Sequence, residues 1–209
     1  HSDDDGLVLP PRVAPVQVVI LPLSTDQTRV QEVLLPRARE VEAQLNAVLG
    51  PRRVQVDTQF HLRPADRFFY HLQKGVPLRL ELGEREMEGD TLRYVRRDTG
   101  EKGFVSMDRA AEEVPALLRR IQSDLHAKAL KFRLENTHEI ANFAEFQDVL
   151  ATSGGFLSGY FGGSKEDEKA IKEATGATPR CFPLADQSTG TCFYTGRKGA
   201  RRVIFAKAY

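Results

Sequence analysis

Few side chains in this sequence have the type and spacing of reactive chemistry. There is no phosphate-cradling GxxxxGK[ST] loop, no Ser on a GxSxG elbow, and no His/Cys/Asp constellation of useful spacing. His126 and His138 read as helix-surface residues. The two cysteines, Cys181 and Cys192, are too few for a disulfide framework; they read as buried apolar residues in a reduced cytosolic setting. The remaining candidates suit recognition. Arg85-Glu86 sets a forked guanidinium beside a carboxylate, and the two match different edges of a guanine. The fork donates to O6 and N7, and the carboxylate accepts from N1 and N2. A solvated charged turn, Glu84-Arg85-Glu86-Met87-Glu88, has the same composition and is the commoner case. Just upstream, Arg79 and Lys74 supply further cations, and Tyr70 an aromatic ring. A helical tyrosine is more often half-buried core.

The elements that must hold these residues follow from the apolar pattern. Val16 to Leu23 is a continuous Val/Ile-rich run, the mark of a buried parallel strand. Thr25 or Asp26 can cap the next helix, whose stripe is Val30, Val33, Leu34, Val41, Leu45 and Val48. Pro36 predicts a kink or a late start there, and Gly50-Pro51 a stop. A short strand at Arg53–Asp57, a helix at Pro64–Gln73 and an alternating strand at Leu78–Leu82 follow. Thr91–Arg97 and Gly103–Met107 flank Asp98-Thr99-Gly100-Glu101, a hairpin signal. Asp108 then caps a long helix with the stripe Val114, Leu117, Leu118, Ile121, Leu125 and Phe132. A short helix at Asn142–Leu150 precedes a boundary at Ser153-Gly154-Gly155. Beyond it come a strand at Phe156–Phe161, a helix at Lys165–Ala174, and strands at Thr178–Leu184 and Arg202–Ala206.

That order predicts an α/β fold, a mixed sheet flanked by helices and then a smaller α/β unit. The expected divisions are a stiff Pro-rich connector at 1–15, a first domain at 16–107, a helical linker at 108–152 and a C-terminal domain at 153–209. Hydrophobic content of 41% and charged content of 28% are those of a soluble globular chain. A formal net charge of +1 does not announce nucleic-acid binding, so any basic surface is local. Residues 153–209 carry nine Lys/Arg against five Asp/Glu, and residues 52–102 eleven against nine, a mild bias toward cations. No apolar run approaches the ~20 residues of a membrane span. The acidic opening is no signal peptide, and without an initiator Met it reads as a start in the middle of something longer.

Several segments together resemble prolyl-tRNA synthetase, in the type with a C-terminal extension and no inserted editing domain. The opening His1-Ser2-Asp3-Asp4-Asp5-Gly6-Leu7-Val8-Leu9-Pro10-Pro11 is similar to that family's exit from motif 3. Gln73-Lys74-Gly75-Val76-Pro77 resembles its Leu-Lys-Gly-Val-Pro segment, and Arg96-Arg97-Asp98-Thr99-Gly100-Glu101-Lys102 its hairpin. Ile171-Lys172-Glu173-Ala174-Thr175-Gly176 and the ending Phe205-Ala206-Lys207-Ala208-Tyr209 resemble the extension. The resemblance implies an anticodon-binding domain, then a small C-terminal domain, without the catalytic motifs.

By that resemblance Arg79, Arg85, Glu86, Lys74 and Tyr70 are anticodon-binding residues, facing the two guanines of the proline anticodon. Tyr209 is implied to face the aminoacylation site, and no residue here is catalytic. Two departures stand out. Tyr70, His71 and Leu72 replace a family acid-aromatic-acid pattern. The four family zinc ligands fall on Gly162, Asp167, Cys192 and Thr195, so the metal is expected to be lost. The implied function is the tRNA-recognition half of proline–tRNA ligase. Proline tRNA, a catalytic domain of the same chain and a homodimer mate are its partners. ATP and Mg belong to the full-length enzyme, the location is cytoplasmic, and neither DNA nor membrane is involved. The alternative is a stand-alone anticodon-like module, a non-catalytic RNA-binding or dimerisation domain.

Overall fold

The computed structural model describes residues 1–208; the expectation for Tyr209 lies outside them. The chain divides into two compact units, 1–127 and 128–209. Among the described residues no helix is long and apolar enough to cross a membrane.

The first unit opens with a small hairpin, β1 (Ser2–Asp3) and β2 (Gly6–Leu7), where the sequence suggested only a connector. Its central sheet contains β3 (Val18–Pro22), β4 (Val54–Val56), β5 (Leu78–Leu82), β6 (Thr91–Arg96) and β7 (Lys102–Ser106) in the spatial order β4-β3-β5-β6-β7. β3 is parallel to both β4 and β5, and β5, β6 and β7 form an antiparallel meander. All five residues of β3 are buried, as the unbroken apolar run requires.

Asp26 caps α1 (Gln27–Arg29) by accepting from the backbone N–H of Thr28 and Arg29. A π-helical turn (Val30–Leu34) leads without a break into α2 (Leu35–Leu49), so Pro36, which has no N–H to donate, falls where the helical ladder is already irregular. Leu34, Ala38, Val41 and Leu45 pack on the β-strand side chains Val18, Ile20, Leu78 and Leu80. Val48, expected in that stripe, is 54% exposed, because Leu49, four residues on from Leu45, takes the position that packs on the core. α3 (Pro64–Gln73) lies on the opposite face, where Phe68 meets Val19, Leu21 and Val76. A five-residue helix, α4 (Glu84–Glu88), stands where a strand end and charged turn were expected. α5 (Ala110–Glu135) buries Val114, Leu118 and Ile121 in the first core. Phe132 is 67% exposed instead of continuing the stripe.

In the second unit, β8 (Thr137–Glu139), β9 (Phe156–Phe161), β10 (Ala177–Cys181), β11 (Thr189–Gly190) and β12 (Ala200–Lys207) form a mixed sheet ordered β10-β12-β9-β8. α6 (Phe143–Thr152) and α7 (Lys165–Thr175) accompany it. β8 pairs in parallel with β9, so His138 is a strand residue opposite Leu157 and not a helix-surface one. Three residues are too short to show a period, which is why the segment read as linker. Phe146, Phe161, Phe193 and Phe205 fill the core with stacked and edge-to-face rings 5.1–5.7 Å apart.

Candidate functional site

The three strands β3, β4 and β5 run the same way, so the segments leaving their C-terminal ends gather at one end of the first sheet. There β3 is followed by Leu23, Ser24 and Thr25, β4 by Asp57, and β5 by Gly83 and α4. Loops at such an edge are where parallel sheets present ligand-binding groups. An open hollow of about 580 Å³ lies here, lined by Ser24, Thr25, Glu81, Arg85, Glu86 and Arg93 among others.

Arg85 and Glu86 therefore share a site, as expected from their adjacency. Arg85 is exposed and has no carboxylate partner among the described residues. Glu86 has a second task. Its Oε2 accepts the Gly83 backbone N–H at 3.1 Å, closing the first turn of α4. Only the other carboxylate oxygen is open to a ligand. The spacing Gly83-x-x-Glu86, with Gly89 at the end, is the local signal that could have announced this helix.

Arg79 is not free. Its Nε donates to Glu81 Oε1 at 3.0 Å, and its guanidinium lies 4.3 Å from the centroid of the Phe68 ring. Arg93 approaches the same Glu81 at 3.6 Å. The almost buried Glu81 thus holds two cations on one sheet face, with the Glu81–Arg93 pairing set by strand register. Arg79 lines a different cavity of about 350 Å³, together with Asp3, His71, Arg97 and Asp98.

Tyr70 and Lys74 sit apart from both. The Lys74 ammonium lies 5.6 Å from the centroid of the Tyr70 ring, and both border a small slot of about 200 Å³ with Leu9, Pro15, Gln55 and His71. Tyr70 is 42% exposed, so its ring is available for stacking. The five predicted residues therefore occupy three neighbouring positions rather than one constellation.

Sequence reasoning missed what aims α3. Asp57 is buried and accepts from Arg67 Nε at 2.9 Å and from the Gln59 backbone at 2.8 Å, and it meets His71 Nε2 at 2.5 Å. Arg67 also donates to the Pro22 and Asp57 carbonyls. Burial pushes the Asp57 carboxyl up, but the bonds from His71 and Gln59 and the charge of Arg67 outweigh it and hold it well below the ordinary carboxylate value. The i,i+4 spacing of Arg67 and His71 puts both on one helix face. Their shared partner ten and fourteen residues away left no local signal.

In the second unit, the zinc-ligand positions do not fit zinc. Asp167 is occupied in capping, accepting the Ser164 backbone N–H at 2.7 Å. The backbone N–H groups of Gly162 and Thr195 point instead at Cys192 Sγ, at 3.5 and 3.4 Å. One thiol and one committed carboxylate are not a tetrahedral ligand set. Burial pushes the Cys192 thiol up, yet the hydrogen bonds from Thr195, Gly162 and Tyr194 bring it below its ordinary value. Cys192 is buried as expected, but Cys181, near the end of the bulged edge strand β10, is exposed.

The sequence model described as "Anticodon binding domain" matches residues 17–117, and the one described as "Prolyl-tRNA synthetase, C-terminal" matches residues 143–209. The proline–tRNA ligase of Flavobacterium johnsoniae is 41% identical over 211 residues, covering 100% of this chain and 42% of that protein. That of Porphyromonas gingivalis strain W83 is 38% identical over 212 residues, with the same coverage. The crystal structure of prolyl-tRNA synthetase from Cryptosporidium parvum, complexed with L-proline and AMP, superposes with a TM-score of 0.89 at 29% identity, covering 100% of this chain and 44% of that one. The chain spans about 42% of the length of the curated relatives it matches.

Proposed function

The chain belongs to the prolyl-tRNA synthetase family, as its C-terminal region of anticodon-binding and C-terminal domains, and from that premise we propose that it reads the anticodon of proline tRNA so that a catalytic domain can attach proline. The observation that carries this reading is the hollow beyond β5, where the exposed Arg85 stands unpaired beside one open oxygen of Glu86. Anticodon bases are unstacked, so their edges are accessible. The Arg85 fork donates to guanine O6 and N7, and Glu86 accepts from the Watson–Crick edge. Tyr70 stacks on a neighbouring base, with Lys74 beside it. Arg79, held by Glu81 and Phe68, presents what remains of its fork without having to be ordered on binding.

Attachment of proline, use of ATP and Mg, homodimerisation and a cytoplasmic location are, on the same reading, properties of the longer enzyme that contains such a region. The test compares this chain's affinity for a proline-tRNA transcript with that for the same transcript carrying adenines in place of the two anticodon guanines. Each guanine is worth roughly 1–3 kcal/mol, so discrimination of tenfold or more is expected. Equal affinity for the two transcripts sinks the proposal.

A further inference from the structure

At the other end of the first sheet lies a groove that none of these residues uses. Its volume is about 370 Å³, and Arg12, Val48, Pro115, Arg119, Gln122 and Ser123 are among its walls. No acidic residue lines it. The neighbouring arginines of α5 are neutralised: Arg109 pairs with Glu112 and Glu113, and Arg120 with Glu101. Arg12 and Arg119 are exposed and have no carboxylate partner among the described residues. The sequence explains the difference. Residues three and four away from Arg119 along the helix are Pro115, Ala116, Gln122 and Ser123, none of them acidic.

The groove is also held in shape. Gln17 Nε2 donates to the Pro11 carbonyl at 2.8 Å, and Gln122 Oε1 accepts the Arg12 backbone N–H at 3.1 Å. The Pro10 carbonyl accepts from Val13 and Ala14. The backbone carrying Arg12 is thereby fixed, while the Gln122 amide N–H groups and the Ser123 hydroxyl stay open as donors.

We propose that this groove binds the phosphodiester backbone of the RNA, with Arg12 and Arg119 each neutralising a phosphate and Gln122 and Ser123 donating to its oxygens. The proposal rests on the reading that the chain binds tRNA. The chemistry favours phosphate over base. Two unpaired guanidiniums flank neutral side chains, and no carboxylate stands in the groove to accept from the donors of a base edge. β3 and its flanking residues lead from Gln17 at the groove to Leu23 at the Arg85 hollow, about 20 Å at the rise of a strand. One nucleotide cannot span that, so the groove is a second, sequence-independent contact.

The test uses this chain, its Arg12→Gln/Arg119→Gln variant and its Arg12→Lys/Arg119→Lys variant. Binding of the proline-tRNA transcript and of its guanine-to-adenine form is followed from 50 to 200 mM KCl. Each lost phosphate contact lowers the log–log salt slope by about 0.7–0.9. The advantage of wild type over the Gln variant should therefore shrink about tenfold across this range. The loss should be the same for both transcripts, and the Lys variant should keep the slope. An unchanged slope in the Gln variant overturns the groove while leaving anticodon reading intact. A wild type that fails to discriminate the guanines, with the slope effect present, overturns the anticodon reading and leaves the groove. Displacement of RNA by inorganic pyrophosphate beyond the effect of equal ionic strength would reassign the groove to a free phosphate ligand and overturn the proposal.

Discussion

Arg85 and Asp57 are both charged side chains at the same end of one sheet, yet they predict opposite phenotypes. Arg85 is exposed and makes no ion pair among the described residues, so Arg85→Ala should leave the thermal melt within about 0.5 kcal/mol of wild type. The same change should weaken binding of the guanine-bearing transcript by roughly 1–3 kcal/mol, and a variant that binds with full affinity would remove Arg85 from the site. Asp57 is the reverse. Asp57→Ala strands a buried Arg67 without its counter-charge and should cost about 3–5 kcal/mol. Because the folded carboxyl is held below its ordinary 3.8, its contribution is fully present above that value. It is lost as pH falls through the lowered folded pKa. An acid titration of the melt should therefore be shallower below pH 3.8 in Asp57→Ala than in wild type. Superimposable acid limbs would show that Asp57 is not the linked group.

The N-terminal hairpin is an element held by one clasp. Arg97 donates to both oxygens of Asp3, at 2.6 and 2.8 Å, and from Nε to the Leu72 carbonyl. Gly75, with φ of 69°, lets the hairpin approach, since a Cβ there would stand 2.7 Å from that of Leu7. The bond from Arg97 holds the Asp3 carboxyl down to about 2. The clasp is complete above the ordinary carboxylate value and opens as pH falls toward 2. The protection factor for hydrogen exchange at Val8, whose N–H bonds the His1 carbonyl, taken against the intrinsic rate at each pH, should fall over that window and in Arg97→Gln at neutral pH. Protection that persists in Arg97→Gln would show that the turn alone holds the hairpin.

In the second unit, Cys192 receives the backbone N–H groups of Gly162 and Thr195, and the expected ligand position at Asp167 is engaged in capping α7. Elemental analysis of the purified chain should find no stoichiometric zinc, and a chelator should leave the melt unmoved. Zinc that survives dialysis would mean other ligands.

Across the whole molecule, the two units have separate cores, one of Val, Ile and Leu between sheet and helices, the other built around phenylalanine rings. Phe205 touches Phe146, Phe161 and Phe193. Phe205→Ala should cost about 3–5 kcal/mol and disperse its effect through residues 137–207. Backbone amide resonances of residues 16–107 should keep their positions, and their wholesale shift would show the cores to be one cooperative unit. The near-neutral charge of +1 belongs to this scale too. Without a global field, the proposed RNA binding would depend on a few unpaired arginines in particular places.

How much of this was legible in the residues follows from range. Buried β3 announces itself because a strand covered on both faces has no polar position to break the run. The stripe of α2, the Asp98–Glu101 turn and the order of the family-like segments are equally local, and they carried the fold class and the family. Arg79 and Arg85 look alike in the chain. The pleat of β5, which sets residues two apart on one face, and the packing of α3 bind one to Glu81 and Phe68, and leave the other open. The short helix α4, the three-residue β8 and the β1–β2 hairpin fall below the length at which a period can show. The partners of Asp57, of Arg97 and of the Arg12–Arg119 groove come from residues between ten and more than a hundred positions apart. Such pairings have no signature along the chain, because only the close packing of sheet and helices decides which charges find a counter-charge and which stay unpaired.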